Sequence, residues 1–417
     1  MKVIELLTAV GEAAFANDDQ AAIAGGAGRD GFAYRGDPVT PGFRRVRQAG
    51  QALSVMLRLD DGGIVHGDCV SVQYSGAAGR EPLFQAASAE EVVRSRVAGA
   101  VAGLDVTSFR AASEWLAAID LPVAVRYGLS QALLAAAAHA SRRTVAETVA
   151  AEYATGAPLD VVPIFAQCGM ARREGVDRMV LRAVDELPHG LINHPELVGA
   201  DGEVLLAYVG WVRDRVFALR DDPAYLPILH FDCYGMLGRI FPDPGACAAY
   251  LARLGERAAP LRLRVEHPVD AGSRAAQIER LAELRRRLRA VPTDVEVVAD
   301  EWCNTVDDVA AFARAGAADM IQVKTPDLGG LDEVVRALQI CREAGVGAYC
   351  GGSCTDTERA AQLCAQLAMG VGADLLLARP GMGVDEAVMV VRNEMRRTRA
   401  VVASAPARRG IGLVTIP

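Results

Sequence analysis

Pro227-Ile-Leu-His-Phe-Asp232, Leu261-Arg-Leu-Arg-Val-Glu266 and Val295-Glu-Val-Val-Ala-Asp300 are short apolar runs, each closed by an acidic residue. The three acids stand 34 and 34 residues apart, one strand-helix unit each time. Runs of the same kind occur at Val161–Ala166, Met320–Val323, Gly347–Cys350 and Asp374–Ala378. Between them lie amphipathic stretches such as Ala275–Ala290 and Asp332–Ala344. Strand alternating with helix builds a parallel sheet. Residues 161–417 number 257, close to the ~250 of a (β/α)8 barrel. Seven strands are clear, and the eighth, expected between Gly175 and Asn193, is poorly marked. A doubly wound open sheet is the competing architecture.

Upstream the pattern differs. Leu53, Val55, Leu57 and Leu59 alternate with Ser54, Met56 and Arg58, and Asp60-Asp61-Gly62-Gly63 turns the chain into Ile64–Val72. This predicts a β-hairpin. From Ser88 to about Tyr153 the spacing is helical, with Ser113, Ser130 and Thr144 as candidate caps. The expected organisation is an α+β domain over residues 1–160 and a barrel domain over 161–417.

Composition narrows the function. The 417 residues carry 44 basic and 52 acidic side chains, a net charge of -8, and a mean hydropathy of +0.17. No basic stripe suits a nucleic acid, and no run approaches the ~20 apolar residues of a membrane span. Glu5 and Glu12 interrupt the apolar run that a signal peptide needs. The nine Cys include no CxxC pair and read as reduced thiols. The expectation is a cytoplasmic globular protein that acts on a small molecule.

Three carboxylates at successive strand ends meet at the C-terminal face of a barrel, where barrel active sites lie. Asp232, Glu266 and Asp300 would repel one another there, and a hard divalent cation such as Mg²⁺ resolves this with oxygen ligands. Alternatively, each acid caps the helix that follows.

Only two lysines exist, Lys2 and Lys324; the other 42 basic residues are Arg. Lys can give up its proton near neutral pH when its pKa is lowered, whereas Arg cannot. Lys324 ends the next run, 24 residues after Asp300, and shares a strand face with Gln322. Burial and a nearby cation would disfavour its ammonium form and make it a base. The alternative is an internal salt bridge to the carboxylates.

His189 lies in Leu187-Pro-His-Gly-Leu191 and Gln167 closes the first run. His66, His139, His194, His230 and His267 read as structural or exposed. Gly26-Ala-Gly-Arg-Asp-Gly31 matches GxGxxG without a strand before it or a helix after it, which argues against a dinucleotide site. Cys350 and Cys354 have no His partner nearby for zinc.

These segments resemble a known family. Val298-Ala-Asp-Glu-Trp-Cys-Asn-Thr305, Gln322-Val-Lys-Thr-Pro-Asp-Leu-Gly-Gly330 and Ala348-Tyr-Cys-Gly-Gly-Ser-Cys354 resemble the methylaspartate ammonia-lyases of the enolase superfamily. So do His66–Cys69, Val72–Gly76, Phe165–Gln167, Leu187–His189, Pro227–His230 and Arg379–Glu386. The resemblance spans nearly the whole chain. It implies a capping α+β domain over a modified TIM (β/α)8 barrel, usually as a homodimer. It also implies elimination of ammonia from L-threo-3-methylaspartate to give mesaconate, with Mg²⁺ and often K⁺. By resemblance, Asp232, Glu266 and Asp300 match the metal ligands. Lys324 matches the base that takes the C3 proton, and His189 the acid/base on the opposite face. Gln73, Gln167, Gln322 and Cys354 match substrate-contacting positions, with Ser353 beside them where the family is expected to carry Thr. Leu377 matches a residue of the methyl pocket. The alternatives are another carbon-acid enzyme of the superfamily, an epimerase or dehydratase, or a non-catalytic binding barrel. A two-lysine racemase is excluded by the lysine count.

Overall fold

The computed structural model describes residues 1–379, 381 and 383–404. Pro380 and Met382, within the 379–386 stretch quoted above, and residues 405–417 lie outside the described residues.

The expected hairpin is present: β4 (Arg47–Leu59) pairs antiparallel with β5 (Ile64–Cys69). Gly62 takes a positive φ of 87° in the turn, and Gly63 N–H is held by Asp61 Oδ1 at 2.9 Å. Leu53, Val55, Leu57 and Leu59 are fully buried, because alternate residues of one strand share a face. Against that sheet lies the helix Val123–Ser141. Gly67 and Gly128 permit the approach, since a Cβ on Gly67 would fall 2.3 Å from Gly128 O.

A preceding strand was not expected. β1 (Val3–Asp18) pairs with β4 and gives the sheet order β1-β4-β5. Two short strands, β2 (Gly28–Asp30) and β3 (Ala33–Arg35), form a separate ribbon, so the GxGxxG match at Gly26–Gly31 opens no helix. Thr144 does cap Val145–Glu152, in a capping box with Glu147. Ser113 and Ser130 do not cap; they are buried inside helices, and Ser130 Oγ instead accepts the Leu331 N–H at 2.8 Å.

From residue 164 onward eight strands close into a barrel. They are β6 (Ile164–Phe165), β7 (Glu186–His189), β8 (Ile228–Asp232), β9 (Leu263–Glu266), β10 (Glu296–Ala299), β11 (Met320–Val323), β12 (Gly347–Cys350) and β13 (Leu375–Leu377). Every pairing observed between barrel neighbours is parallel, so the closed barrel holds and the open sheet does not. The poorly marked eighth strand is β7. No helix among the described residues is long and apolar enough to cross a membrane.

Candidate active site

Five adjacent strands, β7 to β11, carry His189, Asp232, Glu266, Asp300 and Lys324 in that order at or just beyond their C-terminal ends. Asp232 and Glu266 are in register across β8 and β9. Just where these strands end, the backbone is left-handed at His189 (φ 64°), Tyr234 (43°), His267 (43°) and Trp302 (68°). Such conformations cost of order 1–3 kcal/mol each and collect at functional sites.

The carboxylates are buried and unequal. Glu266, fully buried, accepts from Gln322 Nε2 at 2.9 Å and Tyr349 Oη at 2.8 Å, with His230 Nε2 at 2.8 Å. Burial opposes its charge, but His230, His189 and Tyr349 together outweigh that and hold its pKa below the usual value. Asp232 has one backbone donor, Tyr234 N at 2.9 Å, and His189 Nε2 at 3.4 Å. Burial, then Glu266 and Asp300, push its carboxyl well above the usual range. Burial also lifts Asp300, to about 7, although Lys324 pulls the other way. Among the described residues, His189, Asp232 and Glu266 form the one group whose ligand atoms cluster within 4.8 Å of one another; Asp300 instead faces Lys324.

Lys324 Nζ is 2.7 Å from Asp300 Oδ1 and 3.6 Å from Glu301 Oε1. The expected depression of its ammonium does not arise from these side chains. Burial lowers it, but Asp300 and Glu301 prevail and hold it above the ordinary lysine value. His189 behaves oppositely: burial, aided by His230 and Lys324, draws it down to about 4.

Residues from both parts of the chain line one cavity. Gln167, His189, Asp232, Asp300, Gln322, Lys324, Ser353 and Cys354 meet Gln73, Tyr74 and Arg80 there. Gln73 Nε2 donates to Asp18 Oδ2 at 2.7 Å, while its Oε1 accepts from Cys354 Sγ at 2.9 Å. Glu266 lies behind this wall. Leu377 is also not on it: the residue is 1% exposed and packs with Phe165, Val298, Met320, Tyr349 and Leu375 in the barrel interior.

Two groups escaped the sequence reading. His230 is not a bland histidine, for it is fully buried between Glu186 Oε1 at 2.6 Å and Glu266. Its position two residues before Asp232 puts it on the same strand face, and that signal was available. Arg80 pairs with Glu301 at 2.6 Å and Asp327 at 2.8 Å, from a loop that no local pattern marks.

Fold and site together define a capped-barrel enzyme of the enolase type, with carboxylates gathered between a lysine and a histidine. The family model described as methylaspartate ammonia-lyase C-terminus matches residues 158–404, and that described as its N-terminus matches 1–154. The chain belongs to the methylaspartate ammonia-lyase family. It is 45% identical, with a TM-score of 0.95, to the structure of the Citrobacter amalonaticus enzyme containing (2S,3S)-3-methylaspartic acid, covering 97% of this chain and 100% of that one. The Clostridium tetanomorphum β-methylaspartase, solved as a Mg complex, is also 45% identical, with a TM-score of 0.92 over 98% and 100% of the two chains. A methylaspartate ammonia-lyase of Haloarcula marismortui is 47% identical over 411 residues, 96% of this chain and 97% of the relative.

Proposed function

We propose that this protein eliminates ammonia, reversibly, from L-threo-3-methylaspartate to give mesaconate. One observation carries the reading: His189 and Lys324 flank the three carboxylates at opposite ends of an arc of five barrel strands. Proton removal from one side and acid/base assistance from the other need such an arrangement.

Asp232, Glu266 and Asp300 would hold Mg²⁺. Their chemistry fits a hard cation, because burial and mutual repulsion leave Asp232 and Asp300 resisting ionisation. Bound there, the ion would stabilise negative charge building on the substrate's carboxylate and offset the charges that keep Lys324 protonated. Lys324 is then the base at C3. His189, neutral at physiological pH, stands on the other side of the carboxylates as the opposing acid/base. Gln73, Gln167, Gln322, Ser353 and Cys354 are substrate contacts, and Leu377 shapes the methyl pocket from the layer behind the wall. The 1–160 and 161–417 division, supported by the change of strand and helix pattern, and a cytoplasmic location, supported by composition, belong to the same reading, as do a homodimer and K⁺ activation, which rest on the resemblance.

The test is to supply purified protein with (2S,3S)-3-methylaspartate and Mg²⁺, and follow free ammonia together with the ultraviolet absorbance of the conjugated product. Proton exchange or epimerisation without free ammonia would overturn the reading.

A further inference from the structure

We infer that the buried Arg379–Asp356 ion pair positions the Ser353–Cys354 wall of the cavity. Arg379 is fully buried, two residues beyond β13. A guanidinium is costly to bury unless it is paired. Its Nη1 donates to Leu377 O at 2.8 Å, and its Nε lies 3.0 Å from Asp356 Oδ2. The same Asp356 oxygen accepts the Ser353 N–H at 2.9 Å, and Oδ1 accepts from Tyr127 Oη at 3.2 Å. Tyr127 Oη is also 3.2 Å from Thr325 Oγ1, on the residue after Lys324. Gly352 completes the contact: a Cβ there would meet Arg379 Cζ at 2.5 Å. One ion pair thus ties together the end of β13, the loop after β12, the Val123–Ser141 helix and the neighbour of Lys324. Neither charge lines the cavity, so both act through the loop and are positioning residues.

The substrate part of this inference rests on the function proposed above; the loop part does not. Cys354 is the one cysteine of nine that is not buried, so its alkylation by a small maleimide reports the loop without any substrate. Arg379→Met and Asp356→Asn are expected to raise that rate by about fivefold or more, the effect of losing roughly one hydrogen bond. KM for 3-methylaspartate should rise roughly tenfold with kcat little changed, because the loop binds rather than reacts. Arg379→Lys should fall between, since it keeps the charge but not the two-sided reach. Should Arg379→Met fail to fold, Arg379→Lys and Asp356→Asn decide. Folded variants with a lowered Tm but unchanged alkylation rate and KM would overturn the inference. A wild-type protein without turnover, whose variants still show faster alkylation, would sink the proposed substrate and leave the loop assignment standing.

Discussion

Lys324 Nζ and Asp300 Oδ1 lie 2.7 Å apart, on residues that directly follow the adjacent strands β10 and β11. In this arrangement the proposed base is tied to a proposed metal ligand. An ammonium so held cannot accept a proton, and a carboxylate so held is shared with it. Whatever draws Asp300 toward a cation therefore also loosens the hold on Lys324, leaving Glu301 at 3.6 Å as its remaining close carboxylate, and so couples ligand binding to the readiness of the proposed base.

Removing a ligand should separate activity from folding. Asp232→Ala or Asp300→Ala is expected to lower turnover by more than ~100-fold, since even the outer partners of a metal are worth 10–100-fold. The Tm measured in EDTA should hold or rise for Asp232→Ala, because a buried carboxylate that resists ionisation has been deleted, and should fall for Asp300→Ala, which leaves the Lys324 ammonium without its nearest partner. Full turnover by EDTA-treated wild-type protein, with no divalent ion added, would rule out the metal role.

The same carboxylates predict a pH dependence. Asp300 is raised from 3.8 to about 7, chiefly by burial. Between about pH 4 and 7 the folded state therefore keeps a proton that the unfolded chain has lost, so this group's contribution to metal-free stability falls as pH rises across that window. A cation must displace that proton and binds better above it. The Tm increase on adding Mg²⁺ should be larger at pH 8 than at pH 5.5. An equal increase at both values would contradict the assignment.

The strand-end acids were legible because each closes a short apolar run at a constant spacing, and Lys324 stood out in a chain that uses Arg almost everywhere. Arg80 was hidden by that same bias. Its partner Asp327 is 247 residues away, and nothing local distinguishes one more arginine. The strand ending at His189 was obscured by its four residues and by Pro188, which cannot donate to a ladder. β1 lacks clean alternation, and its pairing with β4 shifts register between Glu12 and Ala16. The Glu266 cage of His230, Gln322 and Tyr349 depends on three strands meeting, which only the closed barrel supplies.

Leu377 tests how far the methyl pocket reaches behind the wall. Leu377→Ala should cost about 2–5 kcal/mol of stability, because the residue packs in a buried cluster. If that cluster supports the C3 substituent, binding of 3-methylaspartate should weaken by about 1–3 kcal/mol while bulkier C3 groups are admitted. Competition assays between small and large C3 analogues decide it. An unaltered preference would confine Leu377 to packing.

Lys324→Arg discriminates most sharply between a base and a counter-charge. Ion pairing with Asp300 and Glu301 asks only for a positive group, and an arginine would keep that charge. A counter-charge role thus predicts that much of the activity survives. A base must be neutral for part of each cycle, which a guanidinium cannot be. Its bulk would also shift the reacting atoms, where a misplacement of about 1 Å can cost 10²-fold. The expected outcome is a folded protein that still shows a Mg²⁺-dependent rise in Tm, is essentially inactive, and no longer exchanges the C3 hydrogen in deuterated water. Persistence of that exchange would show that another group removes the proton. His189 would be the first suspect, because burial keeps its imidazole neutral down to about pH 4.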